Sequence, residues 1–330
     1  MYILYLEGLG NCVKAIVSCN SKTWTMIFID KIKELDKKLN PEFDRLLNLA
    51  WKNQTHIGDL LLVGINGFYD KKTHEFNAVS DIKYNPHVIG QGSEGHSEQT
   101  HYNFIHKYRT TNISQYTYLD YLKLHEWSSE RSKEINELVD FEETTIQLEM
   151  LIYIKFWEAD MIIKKFYQLV RIMHGEQYDW YFKAPKFPGD KEATDTRQNL
   201  IRLKIRDRLK DISPILHDLI ANTYKTQIRN SIAHSNYSFL GRNIYPNNYI
   251  ENDPTAKIKS LSFDEWIDIF HNTLALQNQY TRMKNIINHS YGELVSKSEN
   301  EMEIRISEKD GKQYPAIVYY RPEFKDWGYK

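Results

Sequence analysis

The stretch IQLEMLIYIKFWEADMIIKKFYQLVRIM, residues Ile146 to Met173, is apolar over much of a helical circumference, and its reading decides the fold. A helix on a protein surface carries one apolar stripe. One that is apolar on most sides is central in a bundle or covered where two subunits meet. Gly175 follows where a helix-ending glycine belongs, so the spacing predicts a long buried helix that stops there.

Helical periodicity begins at about Tyr116. KAPKFPGDKE, from Lys183 to Glu192, interrupts it before a basic helix near residues 195 to 211. Ser213 and Pro214 then supply an N-cap with proline at the first helical position, opening a helix expected to run through IRNSIAHSNY, Ile228 to Tyr237. GRNIYPNNYIENDPTAK reads as a long loop. At LSFDEW, Ser262 and Glu265 form a capping box and Leu261 and Trp266 a hydrophobic staple, so a helix from about Phe263 to Asn288 follows. Helices joined in this way make a four-helix bundle.

Outside that bundle the signals change. The first seventy residues mix a strand-like MYILYL with helical segments, TWTMIFIDKIKELDKKL and PEFDRLLNLAWKN, the second opening with Pro41 at a first helical position. From about Asp70 to Gln115 the chain turns polar, with Gly90, Gly92 and Gly95 close together, and reads as a loop-rich connector or lid. The tail EMEIRISEKDGKQYPAIVYY alternates around Asp310-Gly311 as a β-hairpin does. The expected fold class is therefore mainly α, a four-helix bundle with an N-terminal α+β or helical region and a C-terminal β-hairpin. Its expected divisions are residues 1–115, 116–292 and 293–330.

A chain of 330 residues with 41% hydrophobic and 26% charged residues can bury a sizeable core. Its net charge of −1 excludes a protein that coats nucleic acid by bulk electrostatics, so any nucleic-acid contact must be local. The local basic excess is RQNLIRLKIRDRLK, with Arg202, Lys204, Arg206 and Arg208 beside a buried stripe of Ile201, Ile205 and Leu209. Cys12 and Cys19 are too few for a disulfide framework or a zinc cluster. No stretch approaches the roughly 20 apolar residues of a membrane helix, and the start lacks a basic leader, so a cytoplasmic protein with no membrane partner is expected. His74, His87, His96, His101 and His106 crowd one region, but HSEQTHYNFIH spaces its histidines five apart, off one helical face, and no metal or other cofactor is expected. P-loop, dinucleotide and α/β-hydrolase signatures are missing.

Within IRNSIAHSNY, Arg229 and His234 are the residue types that metal-free RNA cleavage needs. A histidine can take the proton from a ribose 2′-OH at neutral pH, and an arginine offers a permanently charged fork of donors to phosphate oxygens. Five residues apart on a helix, they point about 140° apart, so one helix does not aim both at one spot. A symmetric dimer that brings two copies of the helix together solves this.

The form Arg-Asn-three residues-His resembles the signature of HEPN-domain ribonucleases, whose RN-x3-H variant occurs in nucleases of CRISPR and other defence systems. The resemblance covers roughly Asp140 to Tyr291. It implies a four-helix bundle that dimerises with the signature at the interface, and metal-independent endoribonuclease activity in which His234 assists the 2′-OH and Arg229 holds the scissile phosphate. It further implies a defence or toxin setting, with tRNA among the RNA substrates and an antitoxin or regulatory partner. Many HEPN toxins carry an acid separated by three residues from a Lys or Arg on an earlier helix, which in DMIIK matches Asp160 and Lys164. Some place a tyrosine two residues after the histidine; here Tyr237 comes three after. Asn230, one turn before His234, could fix the imidazole tautomer or touch phosphate. The other reading is a non-catalytic module of the same fold that binds RNA or a nucleotide through the basic helix.

Overall fold

The computed structural model describes residues 25–75 and 85–330; the strand-like MYILYL and both cysteines lie outside them. The described chain is mainly helical, with three small antiparallel sheets. Its main helices are α1 (Ile29–Asn53), α2 (Asp59–Ile65), α3 (Gly92–Thr111), α4 (Ser132–Trp157), α5 (Asp160–Met173), α6 (Pro214–Thr223), α7 (Thr226–Ala233) and α8 (Phe263–Val295).

Helix α8 is the axis of the core. Trp266, Phe270, Leu274, Tyr280 and Tyr291 are almost fully buried along it, and it packs on α1, α2, α4 and α6. Its start is the one the sequence marks: the Ser262 hydroxyl accepts from the Glu265 amide, and the Glu265 side chain accepts from the Ser262 amide. It runs longer than expected, to Val295, because Ile287, Tyr291 and Val295 continue the buried stripe. Helix α1 joins it through buried polar ties: the Phe28 amide donates to His271 Nε2 at 2.9 Å and Gln279 Nε2 donates to Asn40 Oδ1 at 2.7 Å.

Several expectations are corrected. Pro41 lies inside α1, where it removes one backbone hydrogen bond; the helix continues through it, with Leu39, Phe43, Leu46 and Leu47 all buried on the core side. Among its described residues the polar stretch after Asp70 is mostly helical, because α3 turns Gly95, Ile105 and Tyr108 inward despite its glycines. The long apolar stretch is two helices broken at Glu158-Ala159, where Ala159 is extended (φ −73°, ψ 108°). Periodicity could not mark the break because both pieces are apolar on most sides.

The helix expected from Ser213 through His234 is also two. Ser213 does cap α6, accepting from the Leu216 amide, but Tyr224 and Lys225 are extended before α7 begins. The backbone groups freed at that break meet one buried hydroxyl: Tyr153 Oη donates to the Thr223 carbonyl at 3.1 Å and accepts from the Lys225 amide at 3.3 Å. The basic segment between α5 and α6 is wound wider than an α-helix over Leu200–Arg206, a π-helical turn that keeps Leu200, Ile201 and Ile205 buried.

Strands β1 (Gly67–Tyr69) and β2 (His87–Ile89) pair ahead of α3. The expected loop after the motif holds β3 (Tyr237–Phe239) and β4 (Asn243–Pro246), joined by β5 (Leu261–Ser262). In the tail, β6 (Glu301–Ser307) and β7 (Gln313–Arg321) pair around Asp310-Gly311, and β8 (Asp326–Tyr329) adds a third strand to the expected hairpin. This sheet is tied to α8 by Trp327 Nε1, which donates to Asn288 Oδ1 at 2.9 Å.

Candidate functional site

Helix α7 is only eight residues long, and its neighbours fix it. Its buried face is Gln227, Ile228 and Ser231. The Gln227 amide makes two bonds to Ile258, donating to its carbonyl at 2.9 Å and accepting from its N–H at 2.8 Å, while Asn248 Nδ2 donates to the Gln227 carbonyl at 3.0 Å. Strapped from that side, the helix leaves Arg229 and Asn230 half-buried and His234 exposed.

At its end the chain turns sharply. The His234 amide donates to the Asn230 carbonyl, Ser235 takes a left-handed conformation (φ 51°), and the Asn236 amide reaches back to the Ser231 carbonyl at 2.8 Å. His234 therefore sits at the open carboxyl end of α7. Tyr237 is not on the helix; it begins β3, opposite Pro246, with its ring 5.6 Å from that of Phe239. The expected i+3 placement beside His234 is lost with the helix.

Arg229 is held by an acid. Its Nε donates to Glu158 Oε1 at 2.6 Å and its Nη1 to Asn230 Oδ1 at 2.9 Å. Glu158 is the last residue before the break between α4 and α5, and it also faces Arg197 Nη1 at 3.5 Å. Arg197 in turn donates from Nε to Asp160 Oδ1 at 3.1 Å. Two acids from the α4–α5 break and two arginines from separate elements thus form one alternating cluster. Tyr224, its ring 5.2 Å from that of Trp157, lies beneath; burial pushes its hydroxyl above the ordinary tyrosine range, against the pull of Arg229.

Asp160 and Lys164, matched by the resemblance at i,i+4, do not pair with each other. Lys164 is buried and donates to the Gly67 carbonyl at 2.8 Å, and burial pushes its amine down to about 8. A face of α5 covered by β1 leaves its side chain no path to Asp160, which turns to Arg197 instead. Asn230 likewise gives its amide oxygen to Arg229 and not to the imidazole of His234.

The basic segment divides. Arg206 pairs with Asp207 at 2.6 Å and Arg208 with Glu176, whereas Lys204 is exposed and Arg202 half-buried, each without an acidic partner among the described residues. Arg202 lies within electrostatic reach of Tyr224, and Arg206 of Lys225, so this face borders the start of α7.

Sequence reasoning missed Glu158 and Arg197. The signal was present, since Glu158 and Asp160 fall two residues apart inside the long apolar stretch, and a carboxylate that stays ionised in such a place needs a cationic partner. No side-chain hydrogen bond joins Arg229 and His234 among the described residues. Among the described residues, no group of three or more His, Cys, Asp or Glu is placed to hold a metal ion, and no helix is long and apolar enough to cross a membrane. No family model, no curated protein and no solved structure matches this chain.

Proposed function

We propose that this chain is a metal-independent endoribonuclease of HEPN type, working as a homodimer whose paired α7 helices contribute Arg229 and His234 to one cleft. The observation that carries the proposal is the hold of Glu158 on Arg229 (2.6 Å) with His234 exposed at the end of the same short helix. An acid that fixes one edge of a guanidinium leaves its other donors aimed, and an imidazole at an open helix end can be met by a second subunit. Helices α4, α5, α6–α7 and α8 would then be the HEPN bundle. Leu148 and Leu151, 46% and 44% exposed on α4, support burial of that helix against a partner subunit.

In this mechanism His234 removes the 2′-OH proton as the 2′ oxygen attacks phosphorus, and Arg229 stabilises the charge that builds on the phosphate oxygens. The 5′ oxygen leaves and takes a proton from water. The products are a 2′,3′-cyclic phosphate and a 5′-OH end. Glu158 positions Arg229, while Arg202 and Lys204 bind the RNA backbone next to α7. The setting is cytoplasmic defence or toxin activity, with tRNA as a substrate class and an antitoxin as a regulatory partner.

A second reading, a non-catalytic RNA- or nucleotide-binding module, is favoured by one observation: among the described residues Arg202 and Lys204 lack acidic partners, whereas Arg229 is paired with Glu158. Incubating the full chain with mixed tRNA and mRNA in EDTA separates the two. Cutting that leaves 2′,3′-cyclic phosphate ends supports the nuclease; salt-sensitive binding with no cutting supports the module.

A further inference from the structure

Between α3 and the second half of α8 lies a cleft of about 300 Å³, lined by residues that play no part in the Arg229 cluster. That volume is at the small end of sites for small-molecule ligands. Arg109 and Arg282 stand on its two walls, Gln277 at its base and Asn285 at its mouth.

The polar groups here are incompletely used. Arg282 Nη2 donates to both oxygens of Asp44, at 2.7 and 2.8 Å, but its Nη1 is buried without a partner among the described residues. Gln277 is 6% exposed, and its Oε1 also has no partner among them. Arg109 gives one nitrogen to Asn278 and meets no carboxylate in an ion pair among the described residues. Asp36 lies behind, within electrostatic reach of both arginines. Buried polar atoms of native proteins are normally satisfied, so a cluster left open inside a cleft points to a ligand that satisfies it.

The cleft also has an aromatic rim. Tyr102 and His106, one turn apart on α3, stack with ring centres 5.7 Å apart and planes 14° apart, and His106 is exposed. A third flat ring can extend that stack. Arginine donors match phosphate oxygens, and here Arg109 and the Nη1 of Arg282 could offer them from opposite walls. From these features together, we propose that this cleft binds a small phosphate ester carrying a planar ring, of mononucleotide size. The phosphate lies between Arg109 and Arg282, the ring on His106, and Gln277 Oε1 accepts a hydrogen bond from a ligand hydroxyl or amine. The site is distinct from the proposed RNA cleft and does not depend on it.

Titration calorimetry of the full-length chain tests this with AMP and UMP as probes, and with adenosine, ribose 5-phosphate and inorganic phosphate as partial ligands. At least one mononucleotide should bind once per chain at sub-millimolar concentration, with every partial ligand at least tenfold weaker. Arg109→Ala and Asn285→Trp should each weaken it at least tenfold without lowering the melting temperature, and Arg229→Ala should leave it unchanged. Asn285 is exposed, so a tryptophan there blocks the mouth without entering the core. Failure of both mononucleotides to bind overturns the proposal. So does binding that survives both cleft variants, that is lost in Arg229→Ala, or that adenosine or phosphate alone matches.

Discussion

Arg229 and Glu158 lie 71 residues apart in sequence, yet the guanidinium Nε donates to the carboxylate Oε1 at 2.6 Å across the junction of α4, α5 and α7. An acid at a helix break, near the middle of a largely apolar stretch, is thereby given a task. With both side chains partly exposed, the pair itself stabilises the fold by only about 1 kcal/mol or less. Its value is in direction.

Removing the acid should therefore harm activity more than stability. Glu158→Ala should lower kcat for RNA cleavage by roughly 10- to 100-fold, the scale at which a misplaced group costs rate, with little change in KM. Glu158→Gln, which still accepts a hydrogen bond, should recover most of the loss. Steady-state kinetics beside a thermal melt checks this; a kcat loss that merely follows the fall in melting temperature, without rescue by glutamine, would contradict it.

The break before α7 depends on one hydroxyl. Tyr153→Phe leaves the Thr223 carbonyl and the Lys225 amide without their shared partner in a buried place. It should destabilise the chain by about 1–3 kcal/mol and speed hydrogen exchange at the start of α7. Urea unfolding and amide exchange measure both, and an unchanged midpoint would show that the hydroxyl is dispensable.

Stability should pass through a minimum near neutral pH. Burial raises the Glu149 carboxyl to about 8, against hydrogen bonds from Trp266 and Tyr108. A carboxyl raised on folding lends stability that is complete below its unfolded pKa and is lost as pH climbs to 8. Burial lowers Lys165 to about 7 and Lys164 to about 8, where they donate to the Gly64 and Gly67 carbonyls. An amine lowered on folding does the opposite: its contribution is complete above about 10.4 and is lost as pH falls to its folded value. Urea midpoints from pH 5 to 9 should fall towards neutrality and rise again above pH 8. Glu149→Gln should flatten the acidic limb and Lys165→Met the alkaline one.

Gly67 tests the packing beneath α5. Its carbonyl accepts from both Lys164 Nζ and Tyr178 Oη, and a Cβ there would stand 2.8 Å from a ring carbon of Trp180. Trp180 is 1% exposed and cannot swing aside. Gly67→Ala should cost about 1–3 kcal/mol, read as a lower melting temperature.

What the sequence made legible was local chemistry. Ser262 with Glu265, Ser213 with Pro214, and Asp310-Gly311 carry their instructions within a few residues, and those starts and that turn are where the sequence placed them. The two helix breaks were illegible for the opposite reason. One hangs on Tyr153, seventy residues upstream, and the other on arginines that arrive from two later elements. Pro41 inside α1 and the glycines of α3 show packing outweighing propensity. In the candidate site, Arg229 and His234 could be named from spacing, but Glu158 had to be found in space, and Tyr237 and Lys164 were drawn elsewhere by a strand and by a backbone carbonyl.

The most direct test of the central claim is the kcat/KM for RNA cleavage in EDTA by Arg229→Ala and His234→Ala, each beside wild type and each shown to be folded. Either substitution alone should lower it at least 100-fold, since one removes the stabiliser of the phosphate and the other the proton acceptor. Cleavage that persists undiminished in either variant, or that wild type performs only with added metal, would contradict that claim.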